Sequence, residues 1–262
     1  MSVKSAQRVL RMFELLAQHP EGLAINEVSN TLSFPQSSTS VLVATLFKEG
    51  YLTVDSMKRY KLGPKLIQLG RVAMETMDIS SQGLPYLKKL KEDVQETVFM
   101  AVLSSTSLVY VAKIDSDRSI RTTAQPGQSK PLYCTGLGKI FLTFLPESKR
   151  NSMLDNIQFE QVTKNTITNR AKLEKQLEEF AKLGYSIDNE ENEEGLICLA
   201  APIFGSDGMI QSAISVAGPK ERMLKHKGHI IEKLLETSSK IAESIGYQNG
   251  SIGNRSKGYK WT

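Results

Sequence analysis

The sequence predicts an α+β chain in distinct parts: a winged helix-turn-helix over residues 1–63, a helical linker over 64–79 and a larger α+β domain over 80–246. Three observations carry that prediction. Three short amphipathic helical patterns and a hairpin pattern fall within the first 63 residues, which is the make-up of a winged helix. Beyond Glu96, apolar runs of strand type cluster together with flanking helical stretches, as in an α+β domain. A length of 262 residues suits two unequal domains, since domains usually run about 100–200 residues.

Ser5 is placed to cap a first helix in which Ala6, Val9, Leu10, Phe13, Leu16 and Ala17 recur at helical spacing, and His19-Pro20-Glu21-Gly22 ends it. Asn26 is expected to cap a second helix with Val28 and Leu32 inward. Ser33-Phe34-Pro35 turns the chain into a third helix from Gln36 to Lys48, stopped at Gly50. Tyr51–Val54 and Tyr60–Gly63 flank the charged turn 55–59 as a hairpin. Pro64 opens a linker helix that runs to about Asp78, with Leu66, Ile67, Leu69, Val72, Ala73, Met74 and Met77 as its apolar residues. A further helix is expected over Leu84–Glu92. Strands are expected over Thr97–Leu103, Leu108–Ile114 and Arg118–Thr123, then helices over Gly136–Leu145 and Arg170–Lys182. Leu196–Phe204 and Met209–Ala217 read as a hairpin around Gly205-Ser206-Asp207-Gly208. A long helix over Lys225–Ile245 closes the domain, and the Gly-, Ser- and Lys-rich segment 247–262 is expected to be disordered.

Hydrophobic residues make up 40% and charged residues 23% of the chain, with a mean hydropathy of -0.25. No apolar run approaches the roughly 20 residues of a membrane span, and the first residues lack a secretory apolar stretch, so a cytoplasmic location is expected. Cys134 and Cys198 stand far apart with no CxxC pair, which reads as two reduced, buried thiols. The net charge is +5 with a pI near 9.0. Residues 1–62 carry seven basic against five acidic side chains, residues 63–246 balance at 23 of each, and the last segment holds Arg255, Lys257 and Lys260 with no acid. A basic excess at the two ends permits a polyanionic partner without requiring one.

The third helix qualifies as a groove reader. Its outer face offers Gln36, Ser37, Ser38 and Ser40. Gln36 can pair bidentately with adenine, and the serines can meet bases or phosphates. Lys58 and Arg59 sit on the wing, placed for backbone or minor-groove contacts, and Arg8 and Lys4 can add phosphate contacts. The competing readings are a three-helix module for protein contact, and a serine-rich turn that is simply good helix-start chemistry.

At these residues the chain resembles the IclR family of bacterial regulators. The resemblance rests on Ser5–Phe13, Pro35–Thr39, Ala44–Leu46, Gly50-Tyr51-Leu52 and Tyr60–Gly63 in the first domain. In the second it rests on Pro131–Lys139, Gly184–Asp188, Glu193–Ile203 and Ala213–Pro219. It spans residues 3 to about 246 in the right order. It implies a winged helix-turn-helix, a linker helix, and a GAF-like effector-binding domain. It further implies dimers, often paired into tetramers, that bind a palindromic double-stranded DNA operator. It also implies ligand contacts at Gly136, Leu137, Asp188, Cys198 and Ser215, in a pocket for a small carboxylic, sugar or aromatic acid. Two departures stand out: Val41 where the family often has arginine, and Ala217 where many members have a serine facing the ligand.

The residues add physical reasons. Thr135-Gly136-Leu137-Gly138 precedes an apolar helix, so the glycines would let an anion approach helix-start N–H groups. Asp188 can accept from a ligand hydroxyl, Ser215 can donate to a carboxylate, and Cys198 would shape a wall. Each has a plainer alternative: close packing for Gly136 and Gly138, a core position for Cys198, and a turn for Asp188. An enzyme is disfavoured. A cysteine nucleophile needs a base, and the histidines are His19, His226 and His229 alone. His226, His229 and Glu232 share a helix face but lack a fourth metal ligand. With no GxGxxG, P-loop or GxSxG motif, neither cofactor nor metal is expected.

Overall fold

The protein is described by a computed structural model that covers residues 3–75 and 78–247. The expected linker residues at 76 and 77, and the expected disordered segment from 248 onward, lie outside the described residues. The chain divides into two compact units, Met1–Thr76 and Met77–Thr262.

In the first unit, α1 (Lys4–Ala17), α2 (Ile25–Leu32) and α3 (Gln36–Lys48) precede a hairpin of β1 (Leu52–Val54) and β2 (Tyr60–Leu62), and α4 (Pro64–Glu75) follows. Met12, Leu16, Val28, Val43 and Leu52 form a core that is essentially closed to solvent. Two expected caps are corrected. Ser5 lies inside the first turn of α1, where Val3 takes the cap position without a side-chain bond. Asn26 lies inside α2, which starts after Ala24. The start of α2 is fixed by a tertiary contact: Leu23 bridges to Tyr60, with Tyr60 N–H donating to Leu23 O at 2.8 Å. Glu27 then accepts the Ala24 N–H at 2.7 Å, the acidic half of a capping box.

In the second unit, α5 (Asp78–Val94) leads into β3 (Thr97–Ser104), β4 (Ser107–Ile114) and β5 (Ser129–Lys130). Then come α6 (Gly136–Phe144), α7 (Glu147–Asn156), α8 (Arg170–Leu183), β6 (Ser186–Asn189), β7 (Leu196–Phe204), β8 (Ile210–Pro219), α9 (Lys220–Lys225) and α10 (Lys227–Ser244). The six strands form one sheet in the order β5-β4-β3-β8-β7-β6, antiparallel at every pairing.

The sheet sorts its side chains with period two. One face presents Val98, Met100, Leu199, Ala201, Ile214 and Val216 to a layer containing α5 and α10. The other presents Phe99, Ala101, Cys198, Ala200, Ala213 and Ala217 to a layer containing α6, α7 and α8. That second face is built largely of small residues, so it leaves room. A bulge in β4 completes it: Met100 pairs with Ala112 but Ala101 with Tyr110, leaving Val111 extra. Val111 and Ala112 both enter the first core, which places Tyr110 and Leu108 on the small-residue face.

Four differences from the sequence reading stand out. Arg118–Thr123 is not a strand. Its carbonyls are taken by side chains, with Arg222 donating to Ile120 O at 3.0 Å and Lys113 to Thr122 O at 3.4 Å. The edge strand is β5 instead, paired with Leu108 and Val109. The closing helix breaks at His226 into α9 and α10. Finally, α7 and the short β6 are additional to the elements expected.

Lys139, in α6, is fully buried. Its ammonium pairs with Glu191 at 2.5 Å, donates to Gln176 at 3.0 Å, and lies 5.4 Å from the centre of the Phe180 ring. Breaking one half of such a pair strands a buried charge. Lys139→Met is therefore expected to destabilise the protein by about 3–5 kcal/mol, while pairing it with Glu191→Leu recovers most of the loss. Denaturant midpoints at constant m-value check both.

Candidate functional site

On the first unit, α3 projects an outward face. Gln36 and Ser37 are exposed, and Val41 is 66% exposed. The serines are partly engaged by the helix itself: Ser38 Oγ donates to Pro35 O and Ser40 Oγ to Gln36 O, each at 2.9 Å. These bonds leave their oxygens able to accept. Arg8 is held over this surface, 5.2 Å from the centre of the Phe34 ring and 3.4 Å from Ser38 Oγ. The two wing cations separate in role. Lys58 is exposed at the hairpin tip, with φ at 57°. Arg59 turns inward, its Nε donating to Gly22 O at 2.9 Å and its Nη2 pairing with Glu27 at 3.2 Å. Gln36, Ser37, Ser38, Ser40 and Arg8 thus share one region, and Arg59 braces the wing against the start of α2.

On the second unit, a cavity of about 180 Å³ opens on the small-residue face of the sheet. Leu137, Asp188, Cys198 and Ser215 line it, as does Ala217. Gly136 stands behind Cys198, where an added Cβ would sit 3.1 Å from the thiol sulfur. Sequence reasoning missed Phe99, Tyr110, Thr122, Gln128, Lys130 and Asn192 on the walls. Phe99 and Tyr110 stack at 4.9 Å. Only the bulge in β4 brings Tyr110 to this face, and no local sequence pattern signals a bulge of this kind.

At the start of α6, where the sequence suggests an approach for an anion, the protein occupies one of the helix-start N–H groups itself. Thr135 Oγ1 accepts the Gly138 N–H at 3.1 Å, and Gly136 packs against the Cys198 side chain. Gly138 serves packing, since a Cβ there would lie 2.4 Å from the Leu132 backbone. Ser186 Oγ donates to Gly136 O at 2.7 Å, fastening the helix start to β6.

Asp188 Oδ1 accepts the Glu191 N–H at 2.7 Å and the Asn192 N–H at 3.4 Å. Burial nevertheless pushes its carboxyl up to about 7; those N–H groups and Lys139 pull against the rise, and the Glu191 carboxylate adds to it. Burial, reinforced by the Asp188 charge, raises both the Cys134 and Cys198 thiols to about 12, so neither is a thiolate nucleophile. His229 instead meets the Asp93 carbonyl at 3.3 Å, and His19 meets Glu21 at 2.8 Å. No group of three or more metal-ligating side chains occurs among the described residues. Ser215 Oγ is buried and makes no hydrogen bond to nitrogen or oxygen.

A helix-turn-helix reading head joined to a separate α+β domain defines a DNA-binding transcription regulator. The model of the IclR helix-turn-helix domain matches residues 5–56. That of the bacterial transcriptional regulator IclR C-terminal domain matches residues 72–243. The chain belongs to the IclR family, whose members are regulators rather than enzymes. It is 29% identical over 250 residues to the HTH-type transcriptional regulator KdgR of Escherichia coli K12, covering 95% of each chain. It is also 29% identical to the DNA-binding transcriptional repressor YiaJ of the same organism, covering 93% of this chain and 88% of that one. The crystal structure of Thermotoga maritima IclR superimposes with a TM-score of 0.64 at 27% identity, covering 91% of this chain and 99% of that one. An IclR-family regulator from Brucella abortus shares the fold with a TM-score of 0.81 at 22% identity, covering 94% of each. No helix among the described residues is long and apolar enough to cross a membrane.

The raised Asp188 carboxyl has a stability consequence. Its folded value near 7 exceeds the ordinary 3.8, so between those values the folded state holds a proton that the unfolded chain releases. Stability then falls as pH rises from about 4 to 7 and levels off above, with a ceiling of roughly 4 kcal/mol. Asp188→Asn keeps the oxygen that accepts the Glu191 N–H but cannot ionise. Relative to wild type, its melting temperature is expected to gain more at pH 8 than at pH 5, as read by thermal unfolding at both.

Proposed function

We propose that the protein is a cytoplasmic, ligand-responsive repressor of a catabolic operon, which binds a palindromic operator as a homodimer and senses a small organic acid. The observation that carries this is the outward face of α3. Gln36 and Ser37 are exposed there beside Arg8 and the partly exposed Ser38 and Ser40, a set of donors and acceptors suited to base edges in the major groove. Lys58 at the wing tip supplies a phosphate or minor-groove contact. Val41 takes a role of its own: its exposed isopropyl group suits the methyl group of a thymine, so the operator is expected to carry an A·T pair at that step. The repressor reading draws support from YiaJ, a relative described as a repressor. The dimer reading draws support from α4, where Ile67, Leu69 and Val72 are exposed apolar residues that a second copy would cover.

The effector reading rests on the cavity, whose 180 Å³ falls below the roughly 300 Å³ at which drug-sized pockets begin. Ligand binding there biases the spacing of the two α3 helices through α4. A coupling of about 1–3 kcal/mol changes operator affinity about 5–150-fold.

Gel shifts with DNA fragments flanking the protein's own gene test this reading. Lys58→Ala is expected to weaken binding to all sequences alike and to lower the salt slope by about one. Gln36→Ala is expected to cost about 1–3 kcal/mol and to relax sequence preference at one position. An absence of shift for every such fragment at low salt, with or without organic acids, removes the proposal.

A further inference from the structure

We infer that Glu27 is a positioning residue for DNA recognition: it touches no DNA itself, but through Arg59 it fixes the wing so that Lys58 meets the duplex. The inference rests on the DNA-binding reading of the first unit and deepens it.

An acidic side chain in a unit that meets a polyanion carries a cost, because its charge repels phosphates. Two of the acids in residues 1–62 are nevertheless tied into the wing. Asp55 shapes its turn: Oδ1 accepts the N–H groups of Met57 and Arg59, each at 3.0 Å. Glu27 comes from another element, α2, and its Oε2 has two partners. It accepts the Ala24 N–H at 2.7 Å, capping α2, and it lies 3.2 Å from Arg59 Nη2.

The surrounding geometry makes Arg59 a strut rather than a free arm. Its Nε donates to Gly22 O at 2.9 Å, so one guanidinium spans the segment before α2 and the first turn of α2. The Leu23–Tyr60 bridge holds the next residue of the hairpin, with N–H to oxygen distances of 3.1 and 2.8 Å. Gly22 permits that approach: its φ is 82°, and a Cβ there would lie 3.0 Å from Tyr60 O. Side chain and backbone thus grip residues 59 and 60 together. Lys58 directly precedes the grip and stands exposed with a φ of 57°. For a residue with a Cβ, that conformation persists only where its surroundings impose it. Among these contacts, the ion pair with Glu27 ties the wing to α2 itself. Val28 of α2 shares a core with Val43 and Leu46 of α3, so Glu27 sets where the wing cation stands relative to the groove-reading helix. Removing its charge puts two effects in opposition. Relief of repulsion tightens DNA binding, whereas loss of the strut weakens it, and the sign of the change decides between them.

Fluorescence anisotropy on the full chain tests the assignment, with a mixed-sequence duplex and a fragment flanking the protein's own gene as probes at low salt. Glu27→Gln is the informative change, because glutamine can still accept the Ala24 N–H but offers Arg59 no charge. It is expected to weaken binding to both probes about 2–5-fold. It is also expected to lower the salt slope toward that of Lys58→Ala, although no cation is removed. A folding defect would reduce the active fraction and leave the slope in place. Glu14→Gln removes the same charge from an exposed position on α1 and is expected to leave binding unchanged or to tighten it. In the Lys58→Ala and Arg59→Gln backgrounds, Glu27→Gln is expected to cause no further loss. The inference is overturned if Glu27→Gln tightens binding as Glu14→Gln does, or if its loss persists undiminished in either background. Two failures stay distinguishable: wild type that binds neither probe sinks the DNA-binding reading, whereas wild type that binds both while Glu27→Gln matches it sinks the positioning role alone.

Discussion

The second unit depends on how closely α6 can approach the sheet. A helix laid on large side chains would stand off by about 10 Å and seal the space with them. Here the first residues of α6 are Gly136, Leu137 and Gly138, and beneath them lie Cys198 and Ala200. A Cβ on Gly136 would press on both the Cys198 sulfur and carbonyl, and one on Gly138 would enter the Leu132 backbone. Glycine on the helix and small residues on the strands are thus two halves of one packing solution. The same solution leaves unfilled volume further along the face, where Ser215, Ala217 and the aromatic pair Phe99–Tyr110 become cavity walls.

That packing draws a polar network into the interior. Lys139 follows Gly138 directly and is carried into the core, where Glu191 answers it. Glu191 belongs to the loop after β6, whose carbonyls accept from Thr163 and Thr166 and whose N–H groups donate to Asp188. One buried cation therefore organises the loop that holds the cavity's own carboxyl. The cost falls on Asp188, which loses water without gaining a full counter-charge, and its raised carboxyl is the electrostatic record of that position. A group held near neutrality in a cavity can donate as well as accept, which makes it a versatile partner for hydroxyls.

How much of this was legible in the sequence follows the range of the forces involved. The helices α1 to α3, the hairpins and the long strands β3, β4, β7 and β8 are written in local periodicity, which single-residue order preserves. Leu137, Asp188, Cys198 and Ser215 were reached through resemblance to a family, and they do converge on one cavity. What stayed hidden depends on contacts distant in sequence. Arg222 takes the Ile120 carbonyl from 102 residues away and so unmakes an expected strand. The Leu23–Tyr60 bridge overrides Asn26 as a cap. Lys130 reads as an ordinary surface lysine until the pairing of β5 with β4 at the sheet edge brings it to the cavity wall.

The electrostatics of the reading head bear on how the proposed effector signal could govern DNA binding. Salt-dependent affinity for DNA grows with the number of phosphates neutralised. Here three of the cations near the wing have partners within the protein: Arg59 has Gly22 and Glu27, Lys61 has Asp55 at 3.5 Å, and Lys65 has Glu49 at 3.8 Å. Arg8 is shared with Ser38 and the Phe34 ring. On the proposed dimer reading, the neutral α3 face limits what one head contributes, and two heads engaging two half-sites together supply the rest. In that regime, affinity depends on how well the separation of the heads matches the half-site spacing. On the proposed effector reading, a cavity that shifts the balance between two separations by only a few kcal/mol is enough to control occupancy of the operator. A head dense in free arginines would cling to DNA in either arrangement and leave the cavity little to control.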